Sequence, residues 1–173
     1  MKSSTHKLIV QYKQKRQTKT INMRPPIHFL LGLIFVIILK LLTSLTIIEV
    51  SIILLASFLI DIDHWFIYIL KKKDLSVNNA YAWFVEKEEK YMKLPLNKRK
   101  QFKKPLMIFH GIEFIILLLI LSLASKIFIF IIIGVLFHLF CDYIDLIREK
   151  EPLYLKLSQI YTYIKNKGKK EFY

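Results

Sequence analysis

Residues 106–125 read LMIFHGIEFIILLLILSLAS, and residues 127–147 follow as IFIFIIIGVLFHLFCDYIDLI. In the first block Glu113 is the only formal charge and His110 the only other ionisable group. The second carries Asp142, Asp145 and His138 as its only acidic and imidazole groups. A bilayer core about 30 Å thick is crossed by roughly 20 apolar residues in a helix, so each block has the length of one span. Upstream, apolar sequence runs from Ile27 to Leu70, too long for a single crossing. Thr43, Ser44 and Thr46, close to Lys40 and Glu49, divide it into Ile27–Thr43 and Leu45–Leu70. The expected fold class is an all-α integral membrane protein of four transmembrane helices in two hairpins, with cytoplasmic amphipathic helices.

Composition supports this. Of 173 residues 54% are hydrophobic, yet the formal net charge is +14, from 27 Lys+Arg against 13 Asp+Glu. Four Gly and five Pro exclude a collagen-like or low-complexity chain, and one cysteine excludes a disulfide framework or a CxxC zinc module. Seven of the cations lie in residues 1–26, eleven in 71–105 and seven in 148–173; only Lys40 and Lys126 remain, one at each proposed outer turn. The positive-inside rule then puts both termini and the central loop in the cytoplasm. The chain divides into a basic N-terminal arm (1–26), a four-helix membrane domain (27–147) that includes the basic loop 71–105, and a basic amphipathic tail (148–173). Residues 1–26 have no apolar core of a signal peptide. No phosphate-binding loop or zinc finger accompanies the positive charge, so topology accounts for it and no nucleic-acid partner is expected.

Two basic segments carry apolar residues at helical spacing. Tyr81, Phe84, Val85, Tyr91 and Met92 do so in the central loop, interrupted by Glu88. Leu153, Leu157, Ile160, Tyr161 and Ile164 do so after Pro152. Such helices suit the headgroup region of a membrane, or pack on the bundle's cytoplasmic face.

Ionisable groups within spans are costly, and function is the usual reason for keeping them. Four of the five histidines, His28, His64, His110 and His138, fall in the apolar blocks; His6 lies in the polar N-terminal arm. Three have carboxylates nearby, in Asp61-Ile62-Asp63-His64, His110-Gly111-Ile112-Glu113 and His138-Leu139-Phe140-Cys141-Asp142. Residues three or four apart lie on one helix face. Asp61 would therefore project with His64, His110 with Glu113, and His138 with Asp142 and Asp145, whereas Asp63 would reach the site from its flank. At about 1.5 Å per residue, His110 falls about 9 Å inside Lys104, His64 roughly 10 Å inside Lys71 and Asp142 about 9 Å inside Arg148. All four motifs thus come out at the cytoplasmic end, as bundle proteins arrange carboxylate–histidine metal sites. Cys141 reads as a buried inert thiol, with a soft metal ligand as the alternative.

In this order, His28-x3-Gly32, Asp61-Ile62-Asp63-His64, His110-Gly111-Ile112-Glu113 and His138-x3-Asp142 resemble the motifs of the YdjM-like inner-membrane metal-dependent hydrolases. The resemblance covers roughly Ile27 to Asp145 and leaves out the basic ends. It implies kinship with zinc-dependent phospholipases C and single-strand nucleases, and hence phosphoester chemistry. Many relatives carry a longer third motif, of which this chain has only His110 and Glu113.

The function expected from these residues is that of a metal-dependent hydrolase acting at the inner lipid–water interface. The expected ligands are His28, Asp61, His64, His110, His138 and Asp142. Asp63 and Glu113 are candidates for the general base or for orienting a ligand. Mixed imidazole and carboxylate donors suit one or two Zn, Mn or Fe ions better than Ca. Membrane lipid is the expected partner, with an anionic phospholipid as a candidate substrate. A proton or ion pathway and a non-catalytic membrane scaffold are the alternatives. The first calls for midplane groups reached from both sides; the second would keep the bundle and bind partners through the basic segments, without catalysis.

Overall fold

The computed structural model describes residues 25–172, so nearly all of the basic N-terminal arm, with His6, lies outside the described residues. Nine α-helices and no strand occur among the described residues. Helix α1 (Pro25–Leu42) opens on two prolines, whose fixed φ and missing N–H suit a first turn. The chain reverses over Thr43–Leu45, at the predicted break. Helix α2 (Ile47–Leu59) then starts on a reciprocal capping box between Thr46 and Glu49. Glu49 is therefore a cap. Helix α3 (Ile62–Lys72) continues α2 after an interruption at Ile60–Asp61 and ends on left-handed Lys73.

Ser76 caps α4 (Val77–Met92), the first predicted amphipathic helix; the single turn α5 (Leu96–Arg99) follows. Next come α6 (Ile112–Ser122) and α7 (Ile127–Glu149). The tail forms α8 (Tyr154–Leu157) and α9 (Gln159–Asn166), separated by extended Ser158, where a single helix was expected.

Helices α2 and α7 form the centre of the bundle, with α1 on α2 and α6 on α7. Val36, Val50 and Ile53 fill one core cluster; Ile60, Leu118, Ile132, Val135 and Leu139 fill another. Small residues bring the helices together. A β-carbon at Gly134 would stand 2.3 Å from the Ile53 carbonyl oxygen, and one at Gly32 would stand 2.6 Å from Ser57 Oγ. Residues 47–72 and Ile127–Glu149 are long and apolar enough to cross a membrane; α1 and α6 are apolar but shorter. Both leave much apolar surface open, including Leu30, Ile34, Ile37 and Leu41 on α1 and Ile116, Leu119 and Ile120 on α6. Contiguous apolar surface of this kind marks contact with lipid or a partner.

The third block departs from its expected form. A helix from Leu106 was expected, but α6 starts at Ile112, after a stretch of irregular chain. The tail pairs with backbone groups in and before this stretch. Asn166 accepts from Lys104 N and donates to Lys104 O, Gln159 accepts from Met107 N, and Lys170 exchanges backbone bonds with Gln101 and Lys103. His110 therefore stands on a loop, and its depth does not follow from helical rise.

The two amphipathic segments are oriented differently. Tyr81, Phe84, Val85 and Met92 of α4 line a cavity, whereas α9 buries Thr162 and Asn166 and leaves Ile160, Tyr163 and Ile164 exposed. The basic loop is folded against the same end. Arg99 donates to the carbonyls of Met92, Leu94 and Glu149 and pairs with Glu151. Lys104, beside Glu151 and the Tyr91 hydroxyl, is buried, and that burial lowers the pKa of its ammonium.

Candidate metal centre

Helix ends bring the donors together. Residue Asp61 occupies the N-cap position of α3 but makes no capping hydrogen bond, so its carboxylate is available to the bundle interior. The preceding turn of α2 is one whose carbonyls lose intrahelical partners, and Ser57 O there accepts from His138 Nδ1 at 2.7 Å. The close approach at Gly134, one turn before His138, permits this contact. His110 arrives from the loop that Gly111 terminates. His28 is buried in the first turn of α1, its ring 4.5 Å from that of His138.

His110 and His138 are fully buried, and their Nε2 atoms lie 3.2 Å apart. From His110 Nε2 it is 3.4 Å to Asp61 Oδ1 and 3.5 Å to Asp142 Oδ2. From His138 Nε2 the same two oxygens lie at 3.5 and 3.4 Å. A tetrahedral ion with bonds of about 2.0 Å sets its donors about 3.3 Å apart, so these five separations are close to coordination spacing.

The far side of each ring fits the same use. His110 Nδ1 lies 2.9 Å from Asp63 Oδ2, and His138 Nδ1 is held by Ser57 O. With Nδ1 protonated toward an oxygen acceptor, each Nε2 lone pair faces the cluster, the arrangement that orients metal-bound histidines. Asp142 Oδ2 is buried without a well-directed hydrogen bond, though Lys156 Nζ stands 2.9 Å away. Asp61, His110 and His138 form one group of donors that could hold a metal ion.

The remaining expected residues lie around this core. His28, His138 and Asp142 form a second potential donor group, with His28 Nε2 3.9 Å from Asp142 Oδ1. His64 is at the edge, its side chain 32% exposed; its Nδ1 lies 3.0 Å from Asp63 Oδ1 and 3.5 Å from Asp61 Oδ1. The interruption at Ile60–Asp61 changes the expected order: Asp63 is the buried carboxylate, set between His64 and His110, and His64 takes the flank. Glu113 is directed elsewhere. It accepts from Ser158 Oγ at 2.5 Å and from the backbone N–H groups of Gln159 and Ile160 at 3.1 Å, holding the N-terminus of α9. Asp145 pairs with Arg148 at 3.3 Å, and Cys141 is a buried free thiol.

Three contributors went unnoticed in the sequence: the Ser57 carbonyl, Lys156 and Gln159. Gln159 donates to the carbonyls of His110 and Leu155, so the tail is fastened to the backbone of a site residue. Only Gly134, one turn before a site histidine, hints at the close helix contact that recruits Ser57.

A cavity of about 360 Å³ opens beside the cluster. Its lining includes His28, Asp61, His64, Asp142 and Lys156 of the cluster, the aromatic side chains of Trp65, Tyr81 and Phe84, and further charged residues such as Glu88 and Glu149. The chain matches no protein-family model, no curated protein and no solved structure.

Proposed function

We propose that this protein is a membrane-embedded, metal-dependent hydrolase of phosphoester bonds in lipid-like substrates. The reading includes the resemblance to the YdjM-like hydrolases, four membrane crossings, and both termini and the central loop in the cytoplasm. The observation that carries it is the set of four converging donors, Asp61, His110, His138 and Asp142, whose two imidazoles are each oriented through Nδ1.

Those four residues hold one divalent ion, with zinc the best match to two imidazoles and two carboxylates. Once bound, the ion supplies Lewis acidity toward a phosphoryl oxygen and acidifies water. The chain does the rest. Asp63 fixes the His110 ring and pairs with His64, the most exposed of the four imidazoles, which exchanges a proton at the cavity edge. His28 closes the buried side against the second oxygen of Asp142. Aromatic side chains of α3 and α4 take the apolar body of an amphiphile while its phosphoester meets the cluster.

Metal analysis of the purified protein, followed by a screen of phospholipids and soluble phosphodiesters, tests this directly. Stoichiometric metal and phosphoester turnover are expected. Protein that stays metal-free when offered Zn, Mn and Fe overturns the reading, and metal-loaded protein without turnover replaces it with a scaffold. For topology, reporters fused after residue 90 and after residue 173 should both read cytoplasmic; an external signal from either reverses the orientation.

A further inference from the structure

Lys156 is a tail residue that the donor set does not need. Its side chain is largely buried, and its ammonium stands 2.9 Å from Asp142 Oδ2. The other lysine of the cavity, Lys104, is committed to Glu151 and Tyr91. We propose that Lys156 is the anion-binding residue of this site, gripping a phosphoryl oxygen of the ligand beside the ion. The inference rests on the metal reading above and assigns the group that holds the substrate's phosphate.

Three observations support it. First, the segment is built to hold Lys156 in place. Glu113 accepts three hydrogen bonds from Ser158, Gln159 and Ile160, and Gln159 ties both Leu155 and His110. Second, Asp142 Oδ2 receives no well-directed hydrogen bond although the ammonium is adjacent, so charge holds the pair more than donor geometry does. A divalent ion held by Asp142 would repel the ammonium. Lysine has three donors on a flexible stem and could then turn toward a bound anion. Third, Asp145, Glu149 and Glu88 also line the cavity, Asp145 pairs with Arg148, and Glu151 is engaged by Lys104 and Arg99. A carboxylate disfavours an anion beside it, so among the ionisable groups that line the cavity Lys156 is the favoured partner of one.

The test uses the full chain in detergent, loaded with zinc and titrated calorimetrically with inorganic phosphate. Lys156→Met should retain the zinc content of the unaltered protein and bind phosphate roughly tenfold or more weakly, the scale of a lost charged hydrogen bond. Lys156→Arg should recover most of the affinity, and Lys165→Gln, an exposed tail control, should change nothing. Undiminished phosphate affinity in zinc-loaded Lys156→Met overturns the assignment. Should Lys156→Met lose zinc, Lys156→Gln decides: zinc loss there too makes Lys156 a support for the donors and overturns the anion role. Unaltered protein that takes none of Zn, Mn and Fe removes the metal reading and this proposal together. Zinc-loaded protein with turnover but no dependence of phosphate binding on Lys156 removes this proposal alone.

Discussion

Between Ile127 and Phe137, α7 is held against its neighbours by shape; from His138 to Glu149 the same helix presents donors, ion pairs and a cavity wall. In the first half Ile132 and Val135 are buried in an aliphatic cluster, and Gly134 lets α2 approach to backbone contact. In the second half His138 and Asp142 face donors from α1, from the α2–α3 junction and from the loop before α6. The halves are coupled, because the approach at Gly134 brings the Ser57 carbonyl to His138. Close packing therefore determines the ring orientation on which the polar half depends.

The largest effect should come from removing donors in the polar half alone. Asp61→Ala combined with His138→Ala should empty the site and abolish turnover while the protein remains inserted, as measured by metal analysis and membrane extraction. If this double variant instead fails to insert, the two halves are one unit and the contrast breaks.

Gly134→Leu attacks the shape-held half. A β-carbon there already meets the Ile53 carbonyl at 2.3 Å, so the helices must separate. Thermal unfolding in detergent should show a loss of about 1–3 kcal/mol or more, the usual range for overpacking. Metal affinity should fall as well, although no donor has changed. Retained affinity in a destabilised protein would show that the Ser57 contact does not position His138.

Asp63→Asn should be milder for metal and more specific. Loss of such an orienting carboxylate typically costs about 10–100-fold in metal affinity. At saturating metal, turnover should still fall, since His64 loses its nearer carboxylate neighbour. Normal turnover under those conditions would leave Asp63 with no role beyond holding His110.

Glu113→Ala is expected to have the smallest effect. Three hydrogen bonds to the tail are lost, each worth about 0.5–1.5 kcal/mol of docking. Hydrogen exchange should rise in residues 153–166 with metal content unchanged. A fall in metal content would place Glu113 nearer the donors than its contacts put it.

Much of the polar half was legible because buried histidines and carboxylates are conspicuous in apolar sequence. All the residues expected as ligands gather at one end, and Asp61, His110, His138 and Asp142 form its centre. The division of roles was less legible. Asp63 and His64 exchanged positions because the helix is interrupted at Ile60–Asp61, which alters the angle that continuous helical spacing assigns. Glu113 was grouped with His110 by sequence distance, but Gly111 ends the loop between them and the tail takes up its carboxylate. Likewise, the apolar period of α9 was readable, but its buried face is the one carrying Thr162 and Asn166.

The amino-acid sequence by itself determined the helical class, the turn after α1 and the gathering of imidazoles and carboxylates, because hydropathy, capping residues and buried charge are local properties. Only the tertiary structure decided where α6 begins, which carboxylate lies between His64 and His110, and which tail lysine reaches Asp142. Each of these depends on a backbone or side-chain partner distant in the chain. Asn166 and Gln159 satisfy the loop before α6, Ser57 orients His138, and Glu113 holds the segment that carries Lys156. Such pairings are set by how closely the elements approach, which no local period encodes.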